Sequence, residues 1–168
     1  MKVNSEIFRA YDIRGIAGKE LTEKGIFYIG KAIGTLILSE GRKSLLTARD
    51  GRISGPSLLR SFQEGVLASG CNVADLGLIP TPLLYFATFK TTIPDGVMLT
   101  GSHNPKNYNG LKIVIDKKSM TSQKIEEIKN MISNDNYFNG SGEMSKLEIK
   151  KDYLMELQEK ISLDSKLK

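Results

Sequence analysis

The sequence predicts an α/β domain built on a mixed sheet with helices on its faces, and three observations carry that prediction. Amphipathic segments of about 10–15 residues alternate with short apolar runs, the pattern of strands separated by helices. Two of those runs lie on either side of a single polar loop, close enough to pair antiparallel within a sheet whose other strands are linked by helices. The chain has 168 residues, 40% of them hydrophobic, enough for one domain with a core of its own.

The elements follow in order. Residues 7–12 read as a short first strand. Thr22 is a cap for a helix whose Ile26, Ile29, Ile33, Leu36 and Ile37 recur at helical spacing before Gly41 ends it. Residues 45–48 form a buried strand that runs into Arg49-Asp50-Gly51-Arg52. Ser54 and Pro56 then open a helix with Leu58, Leu59, Phe62, Val66 and Leu67 inward and Gly70 past its end. Residues 73–76 are the next strand. The Pro80-Thr81-Pro82 break precedes a helix over residues 83–89, because proline is tolerated in a first turn and not inside. Residues 96–100 and 111–115 are the two strands around the polar loop. Ile125, Ile128 and Ile132 mark another helix, residues 134–145 a polar surface excursion, and Tyr153, Leu154, Leu157 and Ile161 a last amphipathic helix.

The net charge is +5, and residues 1–115 carry all of the excess, with 14 Lys and Arg against 9 Asp and Glu. That bias suits an anionic ligand. Nucleic acid is disfavoured as that ligand, since there is no dense Lys/Arg run, zinc-finger spacing or RNP-like aromatic motif. Cys71 is the only cysteine, which excludes an intramolecular disulfide and suits a reducing compartment. No run approaches the roughly 20 apolar residues that span a bilayer, and the N-terminus shows no signal-peptide pattern, so the expectation is a soluble cytoplasmic protein without membrane contact.

Function is concentrated in residues 100–112, Thr-Gly-Ser-His-Asn-Pro-Lys-Asn-Tyr-Asn-Gly-Leu-Lys. Phosphoryl transfer needs a nucleophile that can be approached in line, surrounded by donors for the equatorial oxygens. Ser102 has the setting, with Gly101 allowing close backbone approach, His103 and Asn104 adding donors and Pro105 stiffening the exit. A serine hydrolase is the rival chemistry. Its base would have to be His103, an immediate neighbour badly placed for the hydroxyl, and the Gly-x-Ser-x-Gly elbow is absent.

This loop resembles the active-site loop of the α-D-phosphohexomutases, and Phe8-Arg9-Ala10-Tyr11-Asp12-Ile13-Arg14-Gly15 is similar to that family's N-terminal signature. The Tyr108-Asn109-Gly110-Leu111-Lys112 continuation is closest in kind to the phosphomannomutase/phosphoglucomutase members. Gly101 departs from the family's usual alanine. The resemblance runs to about residue 149 and implies a mixed, four-stranded sheet between helices, the first of four domains. It implies the interconversion of hexose 1-phosphate and 6-phosphate through a phosphoserine at Ser102 and a bisphosphate intermediate. It also implies Lys112, His103 and Arg14 at the reacting group, Tyr11 and Asn104 toward substrate, and Mg2+ bound through phosphorylated Ser102 and aspartates of a second domain.

The family's later motifs have no counterpart here, so residues 1–149 are expected to be the phosphoserine domain and 150–168 a helical linker into a missing second domain. Its partners would then be the hexose phosphate and domains 2 to 4. A single domain of this kind is expected to be inactive by itself, and the alternative is a noncatalytic phosphate-binding or interaction module. Gly142-Glu143-Met144-Ser145 echoes the family's sugar loop, but no Gly-His follows and the echo reads as coincidence. Arg49-Asp50-Gly51-Arg52 reads as a structural turn with neighbouring ion pairs. The apolar stripe of the last helix predicts fraying or weak self-association in preference to tight docking on its own domain.

Overall fold

The structure, a computed structural model, describes residues 3–161. Its strands are β1 (Ile13–Ile16), β2 (Ser44–Arg49), β3 (Asn72–Leu78), β4 (Gly96–Leu99), β5 (Tyr108–Ile115), β6 (Lys118–Ser119) and β7 (Met144–Lys146). The helices are α1 (Glu23–Ser39), α2 (Gly55–Ser69), α3 (Thr81–Lys90), α4 (Ser122–Ser133) and α5 (Lys150–Lys160). The sheet order is β1-β5-β4-β2-β3-β7, with β6 paired to β5. β2 is parallel to both β3 and β4, whereas β5 is antiparallel to β4 and β1, which makes the sheet mixed as expected.

Side chains alternate across the sheet with the period of a strand. Leu45, Val73, Val97 and Leu111 point to one face and pack under α1, α2 and α4, while Leu46, Ala74 and Met98 point to the other and pack under α3. α1 and α2 meet almost backbone to backbone: a Cβ on Gly65 would lie 2.0 Å from the Phe27 carbonyl oxygen, and one on Gly30 2.2 Å from that of Phe62. Thr22 caps α1 by accepting the Gly25 N–H at 3.1 Å.

Three expectations are corrected. The sheet has seven strands and not the four that the resemblance implies: β1 adds an edge strand, and β6 and β7 add pieces too short or too polar to declare themselves by pattern. The first strand begins at Ile13 and not at residue 7. Asn4 caps a single 3-10 turn at Ser5–Ile7, and the Arg9 N–H donates to the Asp12 carbonyl at 2.9 Å, so the chain turns before pairing with β5. The polar excursion contains β7, whose Met144–Lys146 lies parallel to β3; the tetrapeptide echoing a sugar loop is thereby an edge-strand approach, with Gly142 so close to Cys71 that a Cβ would sit 2.1 Å from its carbonyl oxygen.

α5 lies beside α3. Tyr153 meets Phe86 edge-on at 5.1 Å between ring centroids, and Lys90 Nζ pairs with Glu156 at 3.0 Å. The predicted stripe is split, since Leu154 and Ile161 face solvent and no residue of α5 is buried. No helix among the described residues is long and apolar enough to cross a membrane.

Candidate active site

Residues 100–107 connect β4 to its antiparallel neighbour β5, so two hydrogen-bonded strands fix both ends of the serine loop. The last rung is the Thr100 N–H to the Gly110 carbonyl at 2.9 Å. Beyond it the chain turns sharply. Ser102 stands exposed at the corner with φ +51°, a left-handed conformation that a serine adopts only when its surroundings impose it.

The surroundings are specific. The Asn104 N–H and side-chain amide both donate to the Gly101 carbonyl, at 2.9 and 2.8 Å. The Ser102 N–H donates to Thr100 Oγ1 at 2.9 Å, and that hydroxyl donates in turn to Asp50 Oδ2 at 2.7 Å. From the turn between β2 and α2, the Arg52 guanidinium reaches across to four carbonyl oxygens of the loop region, those of Ser102, Asn104, Pro105 and Tyr108, at 2.7 to 3.0 Å. Buried Asn109 donates to Ser54 Oγ at 3.0 Å and joins the same two segments again.

The expected site residues distribute as follows. His103 Nδ1 is 3.4 Å from Ser102 Oγ, too long for a strong hydrogen bond. Asn104 spends its amide on the loop's own backbone. Lys112 faces Met98 across the β4–β5 ladder, and Arg14 faces Gly110 across the β5–β1 ladder. Arg14, Gly110 and Lys112 therefore share the sheet face opposite Leu111 and Ile113, at the end away from β3, while α3 packs over β2 and β4. Lys112 is half-buried, and its side chain makes no ion pair or hydrogen bond among the described residues. Arg14 pairs with Asp12, and Tyr11 is 73% exposed in the turn before β1 with no bond to the serine loop.

An open hollow of about 530 Å³ lies in front of Ser102, lined by Asp50, Gly51, Arg52, Ile53, Asn104 and Lys106. A larger one of about 680 Å³ runs along α4 past Gln123, Glu126 and Asn130, but its lining offers neither nucleophile nor cation. Chemistry, and not size, places the candidate site at Ser102. Cys71 is no rival nucleophile, because burial, with the Asp95 charge behind it, pushes its thiol up to about 12. Sequence reasoning missed Arg52, Asp50 and Thr100 as supports of the loop, and Lys106 as a cation at the hollow. The Arg-Asp-Gly-Arg segment was the available signal, but its partners lie some fifty residues further on.

A mixed sheet covered by helices on both faces fits the alpha/beta/alpha first domain of a phosphohexomutase. Residues 5–138 match the family described as phosphoglucomutase/phosphomannomutase, alpha/beta/alpha domain I, and the chain belongs to that family. Its relatives include a phosphomannomutase/phosphoglucomutase of Pseudomonas aeruginosa, 38% identical over 98% of this chain, and one of Pseudomonas putida, 42% identical over 96%. A phosphoglucomutase of Neisseria meningitidis is 39% identical over 94% of the chain. This chain spans 35% of the length of each of the three. A solved phosphoglucomutase/phosphomannomutase family protein from Burkholderia thailandensis superposes with a TM-score of 0.94 at 33% identity, over 97% of this chain and 37% of that one.

Proposed function

We propose that this chain is the phosphoserine domain of an enzyme that interconverts hexose 1-phosphate and hexose 6-phosphate, with mannose or glucose as the sugar. The observation that carries the reading is Ser102, exposed at a left-handed corner of a loop whose Gly101, Ser102 and Asn104 carbonyls are held. In the forward half-reaction the bond from phosphorus to Ser102 Oγ breaks as one forms to a sugar hydroxyl oxygen. That hydroxyl gives up its proton and Oγ ends protonated. The bisphosphate returns its other phosphoryl group to Ser102.

Lys112, with no partner among the described residues, stabilises the transferring group or shuttles the proton. His103 orients the serine phosphate, and Arg14 contacts phosphate from the adjoining strand and assists proton transfer, while Tyr11 and Asn104 face the substrate. No three His, Cys, Asp or Glu side chains converge among the described residues, so a magnesium ion would find one ligand here, the phosphate on Ser102, and would need the rest from outside the domain. When bound, the ion would neutralise charge on the transferring group.

The chain's 35% share of its relatives supports a second reading, a phosphate-binding module without turnover of its own. One wall of a cleft cannot position both ends of a hexose phosphate, so the isolated chain is expected to show no measurable mutase activity. The test is peptide mass spectrometry after incubation with hexose 1,6-bisphosphate and the remainder of the Pseudomonas putida relative. Phosphate on Ser102, absent from Ser102→Ala, supports the proposal; labelling that persists in Ser102→Ala refutes it, and turnover by the isolated chain refutes the half-site argument.

A further inference from the structure

Arg52 lines the hollow in front of Ser102, where an arginine would be read as a phosphate ligand, yet all four of its Nη donors are already committed to backbone carbonyls. A guanidinium carries five N–H groups in a rigid fork. Nη1 spends its two on the carbonyls of Pro105 and Tyr108 at 2.7 and 2.9 Å, and Nη2 spends its two on those of Ser102 and Asn104 at 3.0 and 2.8 Å. The fifth, on Nε, faces Asp50 Oδ2 at 3.4 Å.

We propose that Arg52 is the positioning residue of the serine loop, a clasp on its backbone and not an anion ligand, and that Gly101 is glycine in order to admit it. A Cβ at Gly101 would fall 2.3 Å from Arg52 Cζ, 2.4 Å from Nε and 2.7 Å from Nη1. Flexible side-chain ends usually yield to such a contact; this one is held by four hydrogen bonds and cannot swing away without releasing the loop. Gly101 is not among the residues of positive φ, so close approach, and not backbone conformation, is what the position demands. Alanine here, the usual residue of the family resemblance, requires a displaced guanidinium. The clasp acts at the strained corner and beyond it, taking the Ser102 carbonyl itself together with three that follow, and so helps to over-determine a conformation that serine avoids. Lysine cannot replace it, because a single compact ammonium with three donors does not span four carbonyl oxygens.

The catalytic consequence rests on the function proposed above, and the test has two arms so that the two ideas fail separately. Amide hydrogen exchange on this chain is read at Asn104 and Tyr108, with Leu46 of β2 as the control for folding. Arg52→Lys and Arg52→Met should each speed exchange at the loop amides about tenfold or more with Leu46 unchanged. Gly101→Ala alone should do the same, but added to Arg52→Met it should change exchange by less than about twofold, since the clash has lost its partner. Unchanged loop exchange in both Arg52 variants, or full additivity with Gly101→Ala, overturns the clasp.

In the second arm the chain is complemented with the remainder of the Pseudomonas putida relative. There Arg52→Lys should lower kcat about tenfold or more and leave KM for the sugar phosphate within about threefold. A raised KM with kcat unchanged would mean that Arg52 holds the ligand, and would overturn the proposal. A wild-type chain that acquires no phosphate on Ser102 counts against the function alone, and the exchange arm still decides the clasp.

Discussion

Thr100→Val tests the second support of the serine loop with almost no change of shape. The Thr100 hydroxyl makes two bonds, accepting from the Ser102 N–H at 2.9 Å and donating to Asp50 Oδ2 at 2.7 Å, and valine makes neither. A neutral hydrogen bond contributes about 1 kcal/mol net and one to a carboxylate about 1.5–3 kcal/mol. The Asp50 side chain is 25% exposed, so its freed oxygen recruits water and the second figure falls to its lower end or below. The expected loss is about 2 kcal/mol, which at about 2–4 °C per kcal/mol for a domain of this size lowers Tm by about 4–8 °C. Thr100→Ser keeps the hydroxyl and should recover most of the loss. Thermal and urea unfolding of the three proteins provide the assay. A Thr100→Val loss below about 0.5 kcal/mol, the range of an uninvolved surface change, would refute the reasoning and leave the bracing to Arg52 and Asn109.

Gly65→Ala should destabilise by about 1–3 kcal/mol in urea unfolding, because a Cβ 2.0 Å from the Phe27 carbonyl oxygen forces α1 and α2 apart and outweighs the roughly 1 kcal/mol that alanine gains in a helix; equal or greater stability would refute it. Burial alone would raise the Glu40 pKa, but Lys124 and Arg42 outweigh it and hold the carboxyl below its ordinary value. Its stabilising contribution is thus complete above the unfolded-state pKa and disappears as pH falls through the lower folded one. The stability difference between wild type and Glu40→Gln should accordingly shrink from pH 7 to pH 3, and a difference that grows in acid would contradict the assignment. Truncation after Ile149 removes no buried residue among those described, one edge-on aromatic contact and the exposed Lys90–Glu156 pair, and the aromatic contact sets the expected cost at about 1 kcal/mol. Any self-association seen by sedimentation should go with the helix, and a loss above about 3 kcal/mol would make α5 part of the core.

What was legible in the sequence was whatever a segment declares by its own periodicity. α1 is the clearest case: Ile26, Ile29, Ile33, Leu36 and Ile37 are all buried, as their spacing requires. β6 and β7 are the opposite case. Lys118, Ser119, Met144, Ser145 and Lys146 are exposed on both faces and become strand only because β5 and β3 offer free edges, a tertiary cause with no local signature. The same distinction divides the site. Ser102 is visible because its chemistry is written in consecutive residues. Arg52 was readable only as part of a turn, since its partners are carbonyl oxygens, which every residue has, and no pattern of side chains marks the four that it holds.

That distinction changes the meaning of the basic excess in residues 1–115. Counted as charge, its arginines suggest a surface prepared for anions; counted as free donors, most are already committed. Arg14 pairs with Asp12, Arg42 with Asp95 and Glu40, Arg49 bonds the Asp50 carbonyl, and Arg52 gives its four Nη donors to the loop and pairs with Asp50. At the hollow and the adjoining sheet face, the cations without an ion pair among the described residues are Lys106 and Lys112. Arg52 therefore maintains geometry, and on the proposed reading the point charges of Lys106 and Lys112 are left, with Arg14 once it parts from Asp12, to meet the phosphate. For a phosphoryl group that must bind, transfer and leave, this is the favourable division: preorganisation comes from donors that never exchange partners, and the attraction comes from donors that can.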